Sequence, residues 1–158
     1  MNNHKKLVSP ILTRLTAGSE NKKNSQVVLQ ELKEGVRFDL ECLFNARYRC
    51  FSADSKYQHL EDSLLNYGLP DLSTINLSTQ VARVKFCRQI EETITKFDPR
   101  IKSARVSASD NIDHDDPSIR FRVEARLFTN PAPETVIFDS SLNPVTQLIA
   151  VSEVYNDR

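Results

Sequence analysis

The sequence predicts an α+β fold, in which N-terminal helices pack on one face of a small antiparallel sheet. Three observations support this prediction. Apolar residues recur at helical spacing up to residue 97, polar and apolar residues alternate after residue 100, and short turns join the alternating segments. Because short connections join antiparallel neighbours, the second part of the chain is expected to form consecutive hairpins.

The composition is that of a single folded domain without a charge bias. The chain has 158 residues, 39% of them hydrophobic and 27% charged, and its 21 basic residues balance its 21 acidic residues. This balance provides no net positive field for nucleic acid or an anionic membrane. No apolar run approaches the roughly 20 residues that cross a bilayer, and no apolar stretch of signal-peptide length follows the polar N-terminus. We therefore expect a cytoplasmic protein that binds no nucleic acid and does not insert into a membrane.

A short apolar segment and a polar linker precede the main domain. Residues 7–15 are largely apolar, and residues 16–26 are polar. The chain is therefore divided into an N-terminal docking segment with its flexible linker, residues 1–26, and a single α+β domain, residues 27–158. The segment either frays or docks on the domain or on a partner. Its apolar face comprises Ile11, Leu12 and Leu15.

The first helical region is predicted over residues 27–50. Gly35 is expected to break or bend it, so that a short helix precedes the main one. Arg47 and Arg49 are placed in its last turn, where cations suit the helix dipole. The apolar positions that follow helical spacing are Val36, Leu40, Leu43 and Phe44.

A second helix is predicted over residues 55–66, followed by a loop of well-specified conformation. Gly68 suits the left-handed position that follows a helix end, and Pro70 blocks continuation of the helix. The apolar side chains assigned to its inner face are Tyr57, Leu60 and Leu64.

The central helix is predicted over residues 79–97, and the tripeptide that ends it is the first candidate site. The hydroxyl of Thr79 is placed to cap its start. Pro99 ends it, because its ring disfavours helical dihedrals at Asp98 and it has no N–H to donate. On physical grounds, Asp98 and Arg100 form either a local ion pair at a helix stop or part of a docking site. The apolar stripe comprises Val81, Val84, Cys87, Ile90, Ile94 and Phe97.

The strand-like segments follow the central helix. The predicted strands are residues 104–108, 119–129 and 135–139, and residues 145–154 form a fourth segment, either a strand or a short helix. Turns are predicted at residues 110–117, 130–133 and 140–144. The second strand has the clearest alternation, and its inward residues are Ile119, Phe121, Val123, Ala125 and Leu127.

The residues that carry chemistry do not form a catalytic or metal-binding pattern. The three histidines are scattered and no glycine-rich phosphate loop is present. Glu91 and Glu92 are adjacent on a helix, where neighbouring side chains do not face each other. The acidic run at residues 110–116 lacks the central glycine and closing glutamate of a calcium loop. The cysteines are expected to be small buried hydrophobes: Cys42, Cys50 and Cys87. We therefore expect a binding or scaffold protein, not an enzyme, with no metal, cofactor or small-molecule substrate.

Several stretches together resemble the small baseplate wedge subunit of contractile injection machines, the TssE family of type VI secretion systems and its contractile-phage counterpart. The most specific are Asn66-Tyr67-Gly68-Leu69-Pro70-Asp71 and the helix-ending Asp98-Pro99-Arg100. The similarity runs from about residue 7 to about residue 151. The matching stretches are residues 11–15, 39–47, 63–73, 97–100 and 138–142.

The resemblance implies a structural part of a baseplate, near the inner membrane of a Gram-negative bacterium. Members of the family bind the larger subunits TssF and TssG. The resemblance assigns that contact to Asp98, Pro99 and Arg100, with the planar guanidinium of Arg100 as the anchor. The family usually has glutamate where this chain has Asp98, so the carboxylate here is one methylene shorter.

The resemblance also implies a platform for the contractile sheath. The sheet would present an edge to which the sheath protein adds a strand, although on the residues alone the last apolar segment is equally an ordinary final strand. The other residues assigned to partner binding are Ile11, Leu12, Arg14, Leu15, Val145, Leu148 and Val151. The family's Thr-Gly near the C-terminus is Thr146-Gln147 here, so a different turn geometry is expected.

Two functions remain as alternatives to the baseplate role. Phage relatives have been labelled lysozyme-like, but a peptidoglycan hydrolase needs two carboxylates across a cleft, and the sequence singles out no such pair. An anti-adaptor of the same fold, which binds a protein-degradation adaptor, has no need for the Pro-Arg helix stop. Mutation of Arg100 therefore separates the baseplate hypothesis from the anti-adaptor hypothesis.

Overall fold

The computed structural model describes residue 15 and residues 25–47, 56–60, 63–70, 79–108, 118–129, 132–143 and 145–154. Within these ranges two α-helices precede four strands, which confirms the predicted α+β class. The helices are α1 (Ser25–Asn45) and α2 (Gln80–Phe97), with short 3₁₀ helices between them at Gln58–Leu60 and Leu64–Asn66. The strands are β1 (Ile101–Ala108), β2 (Ile119–Leu127), β3 (Glu134–Leu142) and β4 (Ile149–Glu153). The turn predicted at residues 110–117, part of that at 130–133 and most of the N-terminal segment lie outside the described residues.

The strands form one antiparallel sheet in the order β1-β2-β3-β4. The register shifts at a bulge between Ile101 and Ser103 in β1. Side chains alternate between a buried and an exposed face along β2, as the sequence predicts. The buried side chains of β2 are Phe121, Val123, Ala125 and Leu127.

Both helices contribute to one core on the buried face of the sheet, and α2 packs chiefly against β1 while α1 packs against β4. Phe121 of β2 lies edge-to-face with Phe44 of α1, with ring centroids 5.8 Å apart, and with Phe86 of α2 at 6.4 Å. Such ring pairs add about 1 kcal/mol to the effect of burial. The three aromatic rings therefore join both helices to the same strand.

Helix α1 runs without a break from Ser25 to Asn45, so of the break or bend predicted at Gly35 the break, with its separate short helix, is wrong. Glycine costs about 1 kcal/mol in a helix interior, and burial of large side chains on both sides of it outweighs this cost. Arg47 lies beyond the last turn of α1, contrary to the prediction, and its Nη1 donates to the carbonyl of Phe44 at 2.8 Å. The buried side chains of α1 are Val28, Leu32, Val36, Leu40, Leu43 and Phe44.

The helix predicted over residues 55–66 is wrong, because the described part of this region forms the two short 3₁₀ helices. Ser63 Oγ and Asn66 Nδ2 both donate to the carbonyl of Leu60, at 2.7 and 3.0 Å. Serine and asparagine side chains compete in this way with helical backbone hydrogen bonds. Tyr57 and Leu64, predicted to point inwards, are 56% and 83% exposed.

Helix α2 begins and ends as predicted, but part of its predicted apolar stripe is exposed. Thr79 Oγ1 accepts a hydrogen bond from the N–H of Ala82 at 3.3 Å and caps the start. Val81 and Val84 are 81% and 64% exposed, whereas Phe86, absent from the predicted stripe, is buried. The buried part of α2 begins only at Phe86, so helical periodicity overestimates the length that packs on the sheet.

The cysteines do not share one environment. Cys87 is buried as predicted, and Cys42 is exposed, contrary to the prediction. Burial raises the pKa of the Cys87 thiol, and the charge of Glu91 raises it further. Cys50 lies outside the described residues.

Strand β3 extends beyond its predicted end, so the turn predicted at residues 140–144 is wrong for the first three of them. Ser140 lies opposite Phe121 of β2 and Val151 of β4. Because these pairings supply partners for the backbone groups of β3 on both sides, the strand continues through polar residues. The last apolar segment contains strand β4, which decides between the two structures that the sequence left open.

The turn before β4 keeps a left-handed residue without a glycine. Gln147 has a φ of 57°, so the expected change of turn geometry is wrong. Its N–H donates to the carbonyl of Asn143 at 2.8 Å, and its carbonyl accepts from Arg47 Nη2 at 2.6 Å. These two hydrogen bonds hold a backbone conformation that glutamine rarely adopts.

Candidate partner-docking site

The candidate site begins at the end of α2. Asp98 leaves the helical region with φ −112° and ψ 99°, as expected for the residue before a proline. Its N–H still donates to the carbonyl of Ile94 at 3.0 Å, and its carbonyl accepts from the N–H of Ile101 at 3.1 Å. The predicted stop at Pro99 is therefore confirmed, and it passes directly into β1.

The side chain of Asp98 binds Arg100 at three points. Asp98 Oδ1 accepts from the backbone N–H of Arg100 at 3.0 Å and from its Nε at 2.9 Å. Asp98 Oδ2 accepts from Arg100 Nη2 at 2.6 Å. The local ion pair considered from the sequence is present, and the short aspartate side chain reaches a residue only two positions ahead. Asp98 is 6% exposed, so its carboxylate depends on this partner.

A second carboxylate reaches the same guanidinium from α1. Arg100 Nη2 donates to Asp39 Oδ2 at 2.6 Å, and the side chain of Asp39 is 52% exposed. Among the described residues, Arg100 Nη1 makes no hydrogen bond. The hydrogen bonds that Arg100 donates to the Asp98 carboxylate raise the pKa of Arg100, so its guanidinium stays charged. The guanidinium of Arg100 thus binds two carboxylates, and its Nη1 has no partner in the described chain.

These groups line a shallow pocket of about 260 Å³ between α1 and the end of α2. Tyr67 and Phe97 form one wall and lie edge-to-face, with ring centroids 5.3 Å apart. Burial raises the pKa of Tyr67, and the charges of Cys42, Asp39 and Asp98 raise it further. The pocket lining comprises Asp39, Leu40, Leu43, Tyr67, Phe97, Asp98, Pro99 and Arg100.

The loop that follows the second 3₁₀ helix positions Tyr67. Gly68 has a φ of 111°, which confirms the predicted positive-φ glycine, and a Cβ there would lie 2.3 Å from the carbonyl oxygen of Ala46. Leu69 is fully buried, and its N–H donates to the same carbonyl at 3.0 Å. Only glycine allows the loop to approach the end of α1 this closely, so the loop carries Tyr67 against the pocket.

The structure brings together Asp98, Pro99 and Arg100, and the other predicted partner-binding residues that it describes do not line the pocket. Leu15 is 77% exposed. Ile11, Leu12 and Arg14 lie outside the described residues. Around β4, Val145 and Leu148 are 83% and 57% exposed, whereas Val151 is buried in the core of the domain at 6%.

Asp39 and Tyr67 belong to the site but were not predicted from the sequence. Asp39 reaches Arg100 across 61 residues of chain, and helical spacing carries no sign of such a contact. Both residues lie in stretches that resemble the family, residues 39–47 and 63–73. That overlap was the available signal, because the two stretches accompany the Asp98-Pro99-Arg100 motif.

The outer edge of β4 is partly occupied by side chains of α1. Asn45 Oδ1 accepts from the N–H of Ile149 at 2.9 Å, and Asn45 Nδ2 donates to the carbonyl of Ile149 at 2.8 Å. Arg37 Nη1 donates to the carbonyl of Val151 at 3.3 Å. The amide of Asn45 therefore satisfies Ile149 as a neighbouring strand would.

The described residues show neither a metal-binding cluster nor a membrane-spanning helix. In the part of the chain that the structure describes, no group of three or more His, Cys, Asp or Glu side chains is arranged to hold a metal ion. None of the described helices is long and apolar enough to cross a membrane.

Comparison with known proteins identifies one family and one partial relative. The family described as baseplate wedge protein gp25 matches residues 30–132, which include α1 from Gln30 onwards, all of α2 and the Asp98-Pro99-Arg100 motif. The chain is also 35% identical over 77 residues to the anti-adapter protein IraD of Salmonella arizonae, a match that covers 49% of this chain and 56% of that protein. The family match spans more than half of the chain and contains the whole pocket lining. The chain therefore belongs to the baseplate wedge protein gp25 family.

Proposed function

We propose that this chain is a TssE-like structural wedge subunit of a type VI secretion baseplate, which binds TssF and TssG and catalyses no reaction. The observation that supports this most strongly is the pocket at the end of α2. Its guanidinium is oriented by a buried aspartate, and the family match covers every residue that lines it. In this proposal the subunit works on the cytoplasmic side of the inner membrane.

Arg100 is the proposed anchor because its orientation is set before a partner arrives. Asp98 fixes Nε and Nη2 through bonds of 2.9 and 2.6 Å, so little side-chain freedom is lost on binding. Nη1 is then the donor offered to a carbonyl or carboxylate of the TssF and TssG helices. Pro99 contributes a rigid apolar surface beside it.

The proposed contact with the sheath protein is strand addition at the outer edge of β4. Because Asn45 and Arg37 occupy the polar groups of Ile149 and the carbonyl of Val151, pairing would use the N–H of Val151 and the backbone groups of Glu153. Glu153→Pro removes one outward N–H and is expected to abolish co-sedimentation with sheath protein, whereas Glu153→Ala retains it. Equal behaviour of the two variants would contradict strand addition here.

The test of the wedge proposal is co-expression with TssF and TssG, followed by purification through a tag on this chain. Arg100→Lys is the informative variant, because it keeps a positive charge beside Asp98 but loses the planar fork. Loss of the ternary complex is expected for Arg100→Lys. The matched control is Arg88→Lys, a change on α2 at a side chain that is 80% exposed, and it should leave the complex intact. Recovery of a full complex with Arg100→Lys would show the anchor assignment to be wrong.

A second candidate function is that of an anti-adapter, and the partial match to IraD supports it. The chain spans little more than half the length of that relative, 56%, so the relative's role is a hypothesis for this chain. The co-expression experiment separates the two candidates. A wild-type chain that forms no complex with either TssF or TssG would favour the anti-adapter role.

A further inference from the structure

The sheet face that points away from the core carries an excess of arginine. We call this surface the open face. Strand alternation and register place four exposed arginines and two acidic residues there, among the described strand residues. The arginines are Arg105, Arg120, Arg122 and Arg126, and the acidic residues are Glu124 and Asp139. This excess of arginines over acidic residues favours a ligand that carries negative charge.

A groove of about 460 Å³ crosses the open face. Its centre is a row of directly opposed residues, one from each strand: Ser107, Arg122, Asp139 and Ser152. Arg122 Nε and Nη2 donate to the two carboxylate oxygens of Asp139 at 2.7 and 3.2 Å. The small serines on either side leave room for another chain to reach Arg120 and Arg122, the two arginines that line the groove. Arg105 and Arg126 lie on the same face beside the groove.

Two arginines of the open face have no carboxylate partner within the described part of the chain. Arg105 lies opposite Glu124 and Arg126 lies opposite Ser103, yet neither arginine forms a hydrogen bond or ion pair with a described residue. An unpaired guanidinium binds a carboxylate through two parallel hydrogen bonds. Arginine is also enriched in protein interfaces. Within the described part of the chain, these two side chains are therefore available to an incoming acidic group.

The edges of the sheet are less accessible than the open face. On β1, the N–H of Val106 donates to Glu91 Oε1 of α2 at 2.7 Å. On β4, Asn45 of α1 satisfies both polar groups of Ile149. The helices thus occupy several backbone groups that an added strand would need. The open face has no such cover from α1 or α2, which pack on the opposite side.

We propose that the open face is a docking surface for an acidic polypeptide segment, separate from the pocket at Arg100. Arg105 and Arg126 receive its carboxylates, and Arg122, held by Asp139, extends the positive surface along β2 on the side of Glu124 away from Arg126. A nucleic acid backbone fits less well, because its evenly spaced phosphates would also meet Glu124 and Asp139. A polypeptide can space its acidic residues to avoid those two positions. This surface goes beyond the proposed wedge function and does not depend on it.

The test is a titration of the isotope-labelled full chain with poly-L-glutamate at low salt, followed by nuclear magnetic resonance of backbone amides and arginine Nε–H groups. Saturable binding is expected, with shifts confined to the open face. The double variant Arg105→Glu/Arg126→Glu should weaken binding at least about tenfold, because two charge-assisted contacts become repulsive. The control, Lys85→Glu/Arg88→Glu, makes the same charge change at exposed positions of α2. It should change the dissociation constant by less than about twofold.

Several results would overturn this proposal. Equal weakening by the two double variants would mean a non-specific charge effect. Tighter binding of a short DNA duplex than of poly-L-glutamate, at equal ionic strength, would assign the surface to nucleic acid. Binding seen only after Asp110, Asp113, Asp115 and Asp116 are replaced by asparagine would mean that the chain's own acidic segment occupies the face. Absence of binding by every folded variant, checked by circular dichroism, would also overturn it.

Discussion

The pocket at Arg100 and the open face use the same residue types in opposite proportions. In the pocket one guanidinium serves two carboxylates, Asp98 and Asp39. On the open face the arginines outnumber the acidic residues two to one. The pocket is therefore rich in hydrogen-bond acceptors and the open face is rich in donors. Because Arg100 already occupies the carboxylates of the pocket, the pocket offers a partner one oriented donor, Nη1, whereas the open face offers several guanidinium groups. The two surfaces therefore suit different neighbours, which one chain can hold without competition between them.

The best-defined Arg–Asp pairs of the two surfaces also differ in burial. The side chains of Arg100 and Asp98 are 28% and 8% exposed, whereas those of Arg122 and Asp139 are 51% and 47% exposed. Water replaces a lost partner at the exposed pair and cannot do so at a buried carboxylate. Similar hydrogen-bond geometry therefore stabilises the end of α2 at the Arg100–Asp98 pair, whereas at the Arg122–Asp139 pair it only orients the exposed guanidinium of Arg122.

The largest expected effect comes from removal of the guanidinium in the pocket. Arg100→Ala leaves the buried Asp98 carboxylate without its partner and should lower the free energy of unfolding by about 2 to 3 kcal/mol. Urea denaturation of the isolated chain measures this loss. Arg122→Ala is the matched control from the open face, and its urea midpoint should equal that of the wild type. If both variants lost the same stability, the distinction by burial would be wrong.

A smaller effect is expected from the second carboxylate of the pocket. Asp39→Asn removes a charge that is half exposed but keeps an oxygen that can accept from Arg100 Nη2, so the loss in unfolding free energy should stay below about 1 kcal/mol. Glu34→Gln, at an exposed position of the same helix, is the control and should have no effect. A loss as large as that of Arg100→Ala would make Asp39 an equal partner of Asp98 in holding the arginine.

The features that the sequence predicted correctly depend on neighbours along the chain. Thr79 caps α2 through a residue three positions ahead, and Pro99 acts on the residue before it. The alternation of β2 is visible within its own nine residues. Asp39 could not be assigned in this way, because its contact with Arg100 closes a 61-residue separation that only the packing of both helices on one face of the sheet creates.

The errors in element boundaries have the same physical origin. Gly35 predicts a break from local propensity, but the buried side chains around it keep α1 continuous. Ser140 and Ser141 predict a turn from composition, yet pairing with strands on both sides extends β3 through them. In each case tertiary contacts outweigh a preference of about 1 kcal/mol or less.

The pKa of Tyr67 depends on the burial and the charges of the pocket at Arg100. Burial raises its pKa above the ordinary value of 10.0, and Cys42, Asp39 and Asp98 raise it further. Because the pKa in the folded state lies above that of the unfolded chain, the neutral phenol contributes stability that is fully present below about pH 10. This contribution is lost as the pH rises through the folded-state pKa. Tyrosinate absorbance during an alkaline titration follows the ionisation, and Tyr67→Phe should remove the shifted transition.

The same titration tests how strongly the negative charges of the two aspartates act on Tyr67 in the presence of Arg100. Asp39→Asn should lower the pKa of Tyr67 only partly, because burial is its largest cause and Asp98 keeps its charge. Tyr57→Phe changes a ring that is 56% exposed and should leave the shifted transition in place. An unchanged pKa in Asp39→Asn would mean that Arg100 fully neutralises the field of that carboxylate. The pocket would then differ from the open face mainly in burial, and a carboxylate of the partner would meet no repulsion from Asp39 when it approaches Arg100 Nη1.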